Sequence, residues 1–211
     1  MFFAIWKPLL FTAVVAYLLG SVNFAIIVSR LKEKDDIRRH GSGNAGATNM
    51  MRTYGKTAAY MTALGDFTKG LLAVACCRYF FQGVEGLPFD PAYIAGLFAL
   101  LGHLYPLYFG FKGGKGVLTS LSIIFIVNPM VFVALLVVLL PLLFIKKIVS
   151  LVSVTGAVLF PIFTFISCVI MNKPPFYDTI FAAVFGIIVL IKHRSNIKRL
   201  MNGTESSFKK K

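Results

Sequence analysis

Apolar residues come in blocks along this chain, at roughly 4–28, 56–80, 91–111, 117–127, 130–145, 148–171 and 176–192. Charges, prolines or glycines bound each block. A spanning helix needs about 20 apolar residues at 1.5 Å rise per residue, so the blocks read as membrane spans. The 117–127 and 130–145 blocks are short for that task, and Asn128-Pro129 between them is a turn signal. Two readings compete there, one long span or a short helical hairpin.

The basic residues choose between them. Arg30, Lys32, Lys34, Arg38, Arg39, Arg52 and Lys56 lie in the 30–56 loop, and Lys192, Arg194, Lys198, Arg199, Lys209, Lys210 and Lys211 lie in the tail. Lys112 with Lys115 and Lys146 with Lys147 form two smaller groups. Placing every cluster in the cytoplasm requires an even number of spans between 116 and 146, which is the hairpin. The prediction is an all-α, polytopic integral membrane protein of seven transmembrane helices, with spans four and five short. Its N-terminus is outside and its C-terminus cytoplasmic. It reads as one membrane domain, 1–211, without internal repeats and with a short basic tail at 203–211. The run from Pro8 to Gly20 imitates a signal peptide but continues to about Val28 and lacks an Ala-x-Ala-like exit, so a retained first span is expected.

Composition agrees: 57% of residues are apolar and 14% charged, with mean hydropathy +0.79. A soluble domain of this length cannot hide so much apolar surface. The formal charge of +14 would suggest nucleic acid in a soluble protein. Here it clusters at segment ends, which points to topology and anionic headgroups. Cys76, Cys77 and Cys168 sit in apolar stretches without metal-ligand spacing and read as small buried hydrophobes.

Four polar patches carry candidate chemistry, all on the predicted cytoplasmic side or beside it. The stretch from His40 to Arg52 packs Gly41, Gly43 and Gly46 among Ser42, Asn44, Thr48, Asn49 and Arg52. Glycines let backbone N–H groups turn toward an anion, and hydroxyls, amides and a guanidinium complete a phosphate grip. Asp66 and Lys69, three apart in an apolar block, share a helix face and can pair in support of a site. Gly102-His103 is followed by Lys112-Gly113-Gly114-Lys115-Gly116-Val117-Leu118-Thr119, a glycine loop leading into a helix N-terminus. Its spacing is not that of a Walker A loop, and Gly116 stands where Ser or Thr is needed, so ATP is not implicated. His193 and Asn196 lie one turn apart where the last helix leaves the membrane, with Glu205 beyond them. Absences also count. No Gly-x-Ser-x-Gly occurs, no metal-ligand cluster is present, and no histidine has an aspartate five residues on, the positions holding Ala45, Tyr108 and Lys198.

These motifs resemble the bacterial acyl-phosphate:glycerol-3-phosphate acyltransferases of the PlsY type. The likeness is carried by Gly20-Ser21-Val22-Asn23-Phe24-Ala25, by His40 to Asn49, by Asp66 with Lys69-Gly70 and by Gly102-His103 with the Lys112–Thr119 loop. At the C-terminal end it rests on His193-Arg194, Asn196-Ile197, Arg199-Leu200 and Gly203-Thr204-Glu205. The resemblance implies a seven-helix bundle in the bacterial cytoplasmic membrane with a cytoplasmic active site. It implies transfer of an acyl chain from acyl-phosphate to the 1-hydroxyl of glycerol 3-phosphate, giving lysophosphatidic acid and phosphate, with no cofactor or metal. Ser42 and Arg52 then look like binders of substrate phosphate, with Asn44, Gly46, Thr48 and Asn49 completing the cradle. Lys115 resembles a further phosphate contact within Gly113, Gly114 and Gly116, near Thr119, and Ser150 resembles a hydroxyl near the site. His193 and Asn196 resemble an essential pair, Asp66, Lys69 and His103 supporting groups, and Glu205 a structural one. Leu118 departs from the family's usual Ala. The competing class is a transporter of a small phosphorylated solute. Against it, all the anion-binding loops fall on one face and no inverted repeat is visible.

Overall fold

The computed structural model describes residues 2–81, 87 and 89–207. Among these the chain is helical with no strands, and every predicted apolar block contains a helix. The helices fall into two compact units, Met1–Val127 and Asn128–Lys211. Lys209, Lys210 and Lys211 of the expected basic tail lie outside the described residues.

The first unit holds α1 (Phe2–Ser21), α2 (Phe24–Lys32), α3 (Ala47–Tyr54), α4 (Lys56–Phe80), α5 (Ala92–Leu104) and α6 (Val117–Val127). Two boundaries differ from the hydropathy blocks. The 4–28 block breaks at residues 22 and 23, where the Asn23 side chain accepts from Ile26 N at 3.1 Å and starts α2 afresh. The 91–111 block stops being α-helical at Leu104. Pro106 lacks an N–H and disfavours the α region at Tyr105, so the chain leaves as a short 3-10 turn at Leu107–Phe109.

Small residues set how closely these helices approach. A Cβ on Gly20 would overlap the Ala99 backbone, and one on Gly102 would overlap Tyr17 O. The α1–α5 contact is therefore backbone against backbone, which suits a lipid setting where van der Waals packing drives association. Gly70 meets Ser122 and Thr119 of α6 in the same way, and Gly65 lies against the Phe24 ring of α2.

The second unit holds α7 (Pro129–Lys146), α8 (Val149–Ile170), α9 (Phe176–Lys192) and α10 (Arg194–Met201). The expected turn is present: Asn128 caps α7 by accepting from Val131 N at 3.2 Å, with Pro129 in the first turn. Gly186 of α9 sits against Ala157 O of α8. The chain bends by 67° at His193, between α9 and α10.

Four stretches are long and apolar enough to cross a membrane: Trp6–Lys32, Ala92–Phe109, Pro129–Lys146 and Val149–Ile170. The bent α9–α10 pair makes five if taken as one. Helix α6 has 11 residues and falls short in length, while α4 carries Lys56, Asp66, Lys69 and Arg78 among its 25 residues.

Gly102→Val tests the close α1–α5 approach. The added methyls must displace backbone, and the expected cost is about 3 kcal/mol or more. Thermal unfolding in detergent should show a clearly lowered melting temperature, whereas Gly110→Ala, where a Cβ meets nothing within 4 Å, should cost only the strain of its φ of +67°, about 1 kcal/mol. An unchanged melting temperature for Gly102→Val would contradict the packing.

Candidate active site

The His40–Arg52 stretch folds as a glycine turn leading into α3. Gly41 and Gly43 take φ of +56° and +69°, the left-handed region. Gly43 N donates to His40 O at 2.9 Å. Asn49, on the buried face of α3, holds this turn from beneath. Its Oδ1 accepts from Ser42 N at 3.1 Å, and its Nδ2 donates to His40 O at 3.0 Å and Ile37 O at 3.3 Å. Ile37, Ala45 and Met50 are fully buried with Ala25, Ile26 and Val28 of α2, so the turn has an apolar floor. Ser42 and Arg52 are exposed, and Thr48 and Arg52 are four residues apart on α3, on one helix face.

Two polar clusters brace the approach to this turn. Arg38 grips Asp36 with two nitrogens at 2.9 and 2.7 Å and donates to Phe109 O at 2.6 Å and Lys112 O at 3.2 Å. It thereby ties the 33–40 segment to the turn before the Gly113–Gly116 loop. This contact holds the Asp36 carboxyl well below the usual carboxylate range and raises the Arg38 guanidinium further. Arg30 adds an ion pair to Asp36 at 3.1 Å and places its guanidinium 5.5 Å from the Phe109 ring centroid. In the second cluster His40 Nε2 lies 2.5 Å from Asp35 Oδ2, which also accepts from the Tyr54 hydroxyl at 3.3 Å. The Asp36 N–H and then His40 lower the Asp35 carboxyl, while burial and then Asp35 push the Tyr54 phenol up.

The Gly113–Gly116 loop rests on the end of α5. Gly113 N donates to Leu104 O and Gly114 N to His103 O, both at 3.2 Å, satisfying carbonyls that the helix end leaves open. A Cβ on Gly114 would overlap His103 Nε2 and Ala45 O, so this loop touches the His40–Gly46 turn. Lys115 is half-buried, and α6 begins two residues later. Beneath lies a buried charge cluster. Lys69 Nζ is 3.1 Å from Asp66 Oδ1, 2.9 Å from His103 Nδ1, and donates to Gly20 O at 2.9 Å and Val22 O at 2.8 Å. Thr119 is fully buried, its hydroxyl donating to Asp66 O at 3.1 Å across α4 and α6.

In the second unit a single carboxylate collects three donors. Ser150 Oγ and Asn196 Nδ2 donate to Glu205 Oε1 at 2.8 and 2.7 Å, and Arg199 Nε donates to Oε2 at 2.6 Å. The segment after α10 is thereby clasped to the start of α8. Burial pushes the Glu205 carboxyl up, but the bonds from Asn196, Arg199 and Ser150 outweigh it and leave it below its ordinary value. His193 is buried, and its Nδ1 lies 2.8 Å from Val189 O. A carbonyl only accepts, so Nδ1 carries a proton and the neutral ring has its lone pair on Nε2.

Of the residues the sequence singles out, Ser42, Asn44, Gly46, Thr48, Asn49, Arg52, Gly113, Gly114, Lys115, Gly116 and Thr119 lie in the first unit, and Ser150, His193 and Asn196 in the second. Asn49, Thr119, Ser150 and Asn196 each make internal hydrogen bonds that hold loops or helix ends. Sequence reasoning passed over Asn23 as a helix start, although Asn before a new apolar run is an N-cap signal. Arg38 enters the sequence reading only as a loop charge, and Asp36 does not enter it. Nothing in its spacing announces that Arg38 has partners more than 70 residues away.

The comparisons with known proteins fall on these same elements. Residues 10–203 match the family model described as glycerol-3-phosphate acyltransferase. The chain belongs to the glycerol-3-phosphate acyltransferase family. The match takes in both glycine loops and the His193/Asn196 pair, and stops just short of Glu205. A glycerol-3-phosphate acyltransferase of Clostridioides difficile is 43% identical over 193 residues, covering 92% of each chain. One of Chromobacterium violaceum is 40% identical over 194 residues, covering 90% of each. Among solved structures, PlsY, an integral membrane glycerol 3-phosphate acyltransferase in its glycerol 3-phosphate form, superposes with a TM-score of 0.82. It is 37% identical and is covered over 96% of its length by 95% of this chain. The expected all-helical family fold is therefore present.

The Glu205 clasp has a pH signature. The folded carboxyl lies below its ordinary value of 4.5, so its contribution is complete above that pH and is lost as pH falls through the lowered value. At neutral pH, Glu205→Gln should lower the melting temperature by about 5 °C, as for loss of a charged, buried acceptor worth ~2 kcal/mol. Melting curves taken down to about pH 3 should show the gap to wild type closing. A gap unchanged by acid would remove the charge from the account.

Proposed function

We propose that this chain transfers a fatty acyl group from acyl-phosphate to the 1-hydroxyl of glycerol 3-phosphate, releasing lysophosphatidic acid and inorganic phosphate. The observation that carries this reading is the apposition of two glycine loops in the first unit, each leading into a helix N-terminus. Backbone N–H groups at α3 and α6, with Ser42, Arg52 and Lys115, make a surface suited to phosphate. Asn44, Gly46 and Thr48 complete one loop, and Gly113, Gly114 and Gly116 shape the other, while Asn49 and Thr119 hold the two in place. Family membership supplies glycerol 3-phosphate as the acceptor. Exposed apolar side chains on the long helices suit membrane lipid and the donor's acyl tail.

Acyl-phosphate is a mixed anhydride with phosphate as its leaving group. The acceptor oxygen bonds to the acyl carbon, the carbon–oxygen bond to phosphate breaks, and the hydroxyl proton must go to a base. The barrier then falls chiefly through charge stabilisation and alignment, which Arg52, Lys115 and fixed N–H groups supply without a nucleophile–base pair. Two acceptors suit the proton: Nε2 of His193 and an oxygen of a substrate phosphate. We assign His193 and Asn196 the task of positioning glycerol 3-phosphate, and Ser150 and Glu205 that of supporting them. In the membrane we place seven spans, N-terminus outside, in the bacterial cytoplasmic membrane with the loops facing the cytoplasm.

The test is phosphate release by purified protein given palmitoyl-phosphate, with and without glycerol 3-phosphate. Release should depend on the acceptor and fall about 100-fold or more in Arg52→Ala and Lys115→Ala. No release from folded protein would sink the proposal and favour a transporter. His193→Ala should raise KM for glycerol 3-phosphate at least as much as it lowers kcat. A pure kcat loss would make the histidine the base instead.

A further inference from the structure

The phosphate-gripping reading of the two glycine loops leaves open what keeps them in register. The geometry points to His103 as a positioning residue: its Nε2–H latches the Gly113–Gly116 loop to the His40–Gly46 turn, and Lys69 sets the tautomer that makes this possible. The inference rests on the proposed function and adds a role to it.

His103 is buried one residue before the end of α5. Its Nδ1 lies 2.9 Å from Lys69 Nζ and 3.5 Å from Asp66 Oδ1. An ammonium has only donors, so at that separation Nδ1 accepts. The neutral ring therefore carries its proton on Nε2, the opposite tautomer to His193. The Nε2 edge is aimed at a crowded point. A Cβ built on Gly114 would overlap both His103 Nε2 and Ala45 O, so ring edge, turn carbonyl and loop backbone converge there.

The main chain of the same residue repeats the attachment. His103 O accepts Gly114 N at 3.2 Å, and a Cβ on Gly113 would overlap that same oxygen. Ring and carbonyl of His103 thus seat the two residues that precede Lys115. Lys69 works on the other side as well. It binds Gly20 O and Val22 O, and the adjoining Asn23 lies 3.5 Å from Ala45 O through its Nδ2. One ammonium orients both groups that converge on Ala45.

The functional consequence follows from geometry. A phosphate contact misplaced by about 1 Å can cost about 100-fold in rate. Lys115 inherits its position from Gly113 and Gly114, and these inherit theirs from His103.

The experiment compares His103→Gln, His103→Asn and His103→Ala in phosphate release and in melting temperature. A Gln amide can return an N–H near the Nε2 position, whereas Asn reaches only as far as Nδ1. Ala and Asn should raise KM for glycerol 3-phosphate and lower kcat, a combined loss of at least tenfold in kcat/KM. Gln should recover at least tenfold over Asn, with the melting temperatures of Gln and Asn similar. Equal activity of Gln and Asn, losses that follow melting temperature across the series, or failure of both to fold would overturn the latch and leave His103 a structural residue. Wild-type protein that releases no phosphate would overturn the loop reading itself, whereas active wild type with equivalent Gln and Asn would overturn the latch alone.

Discussion

The Lys69 ammonium, set among four acceptors inside the first unit, is the interaction on which the other features depend. Asp66 balances its charge from one turn earlier, and His103 Nδ1 with the carbonyls of Gly20 and Val22 complete its surroundings. Those carbonyls stand where α1 ends, and in a bilayer an unsatisfied carbonyl is costly. The ammonium makes the break affordable in free energy, and the break is what frees Asn23 to start α2 and reach toward Ala45. Removing one partner of such a buried pair typically costs about 3–5 kcal/mol, because the other charge is left without compensation. The cluster is thus a structural centre inside the first unit, joined through His103 to the Gly113–Gly116 loop.

Basic residues divide by what they touch, not by where they fall in the chain. Arg30 of α2 and Arg38 fall in the same 30–56 stretch of sequence as Arg52 of α3, and both engage Asp36 and the 106–112 turn. Arg52 projects from an exposed position on α3. Glycines divide in the same manner. Gly20 and Gly102 let helices touch, whereas Gly113 and Gly114 let a loop lie flat on a helix end. Composition records both groups identically.

Much of the fold was legible because apolar runs and turn residues are local signals. The hairpin turn at Asn128-Pro129 and the start of α6 after Gly116 follow from neighbours in the chain. The break after Ser21 was only half-legible: Asn23 offers a local N-cap signal, but it sits inside an apolar block, and the distant Lys69 that binds the Gly20 and Val22 carbonyls is not announced by spacing. The end of α5 at Leu104 was half-legible: Pro106 signals it, but the apolar count runs on to Phe111. In the candidate site, the loop motifs were readable as glycine turns leading into helices. The duties of Asn49, Thr119 and Ser150 were not, because each depends on a partner that sequence spacing does not reveal. The Glu205 clasp joins residues 55 apart in the chain.

A division of labour follows for the chemistry. The proposed mixed-anhydride transfer asks chiefly for fixed positive charge and alignment, so under that proposal rigidity of the two glycine loops matters more than any single base. Side-chain hydrogen bonds secure loops and helix ends in each unit. Asn49 secures the first turn, His103 and Thr119 secure the second, and Glu205 secures the segment after α10. Ser42 and Arg52 are exposed and Lys115 half-buried, which is the exposure that the proposed contact with a soluble phosphate requires. Side chains that look most reactive in isolation, Asp66, Lys69 and His103, are instead buried and bound to one another and to neighbouring backbone.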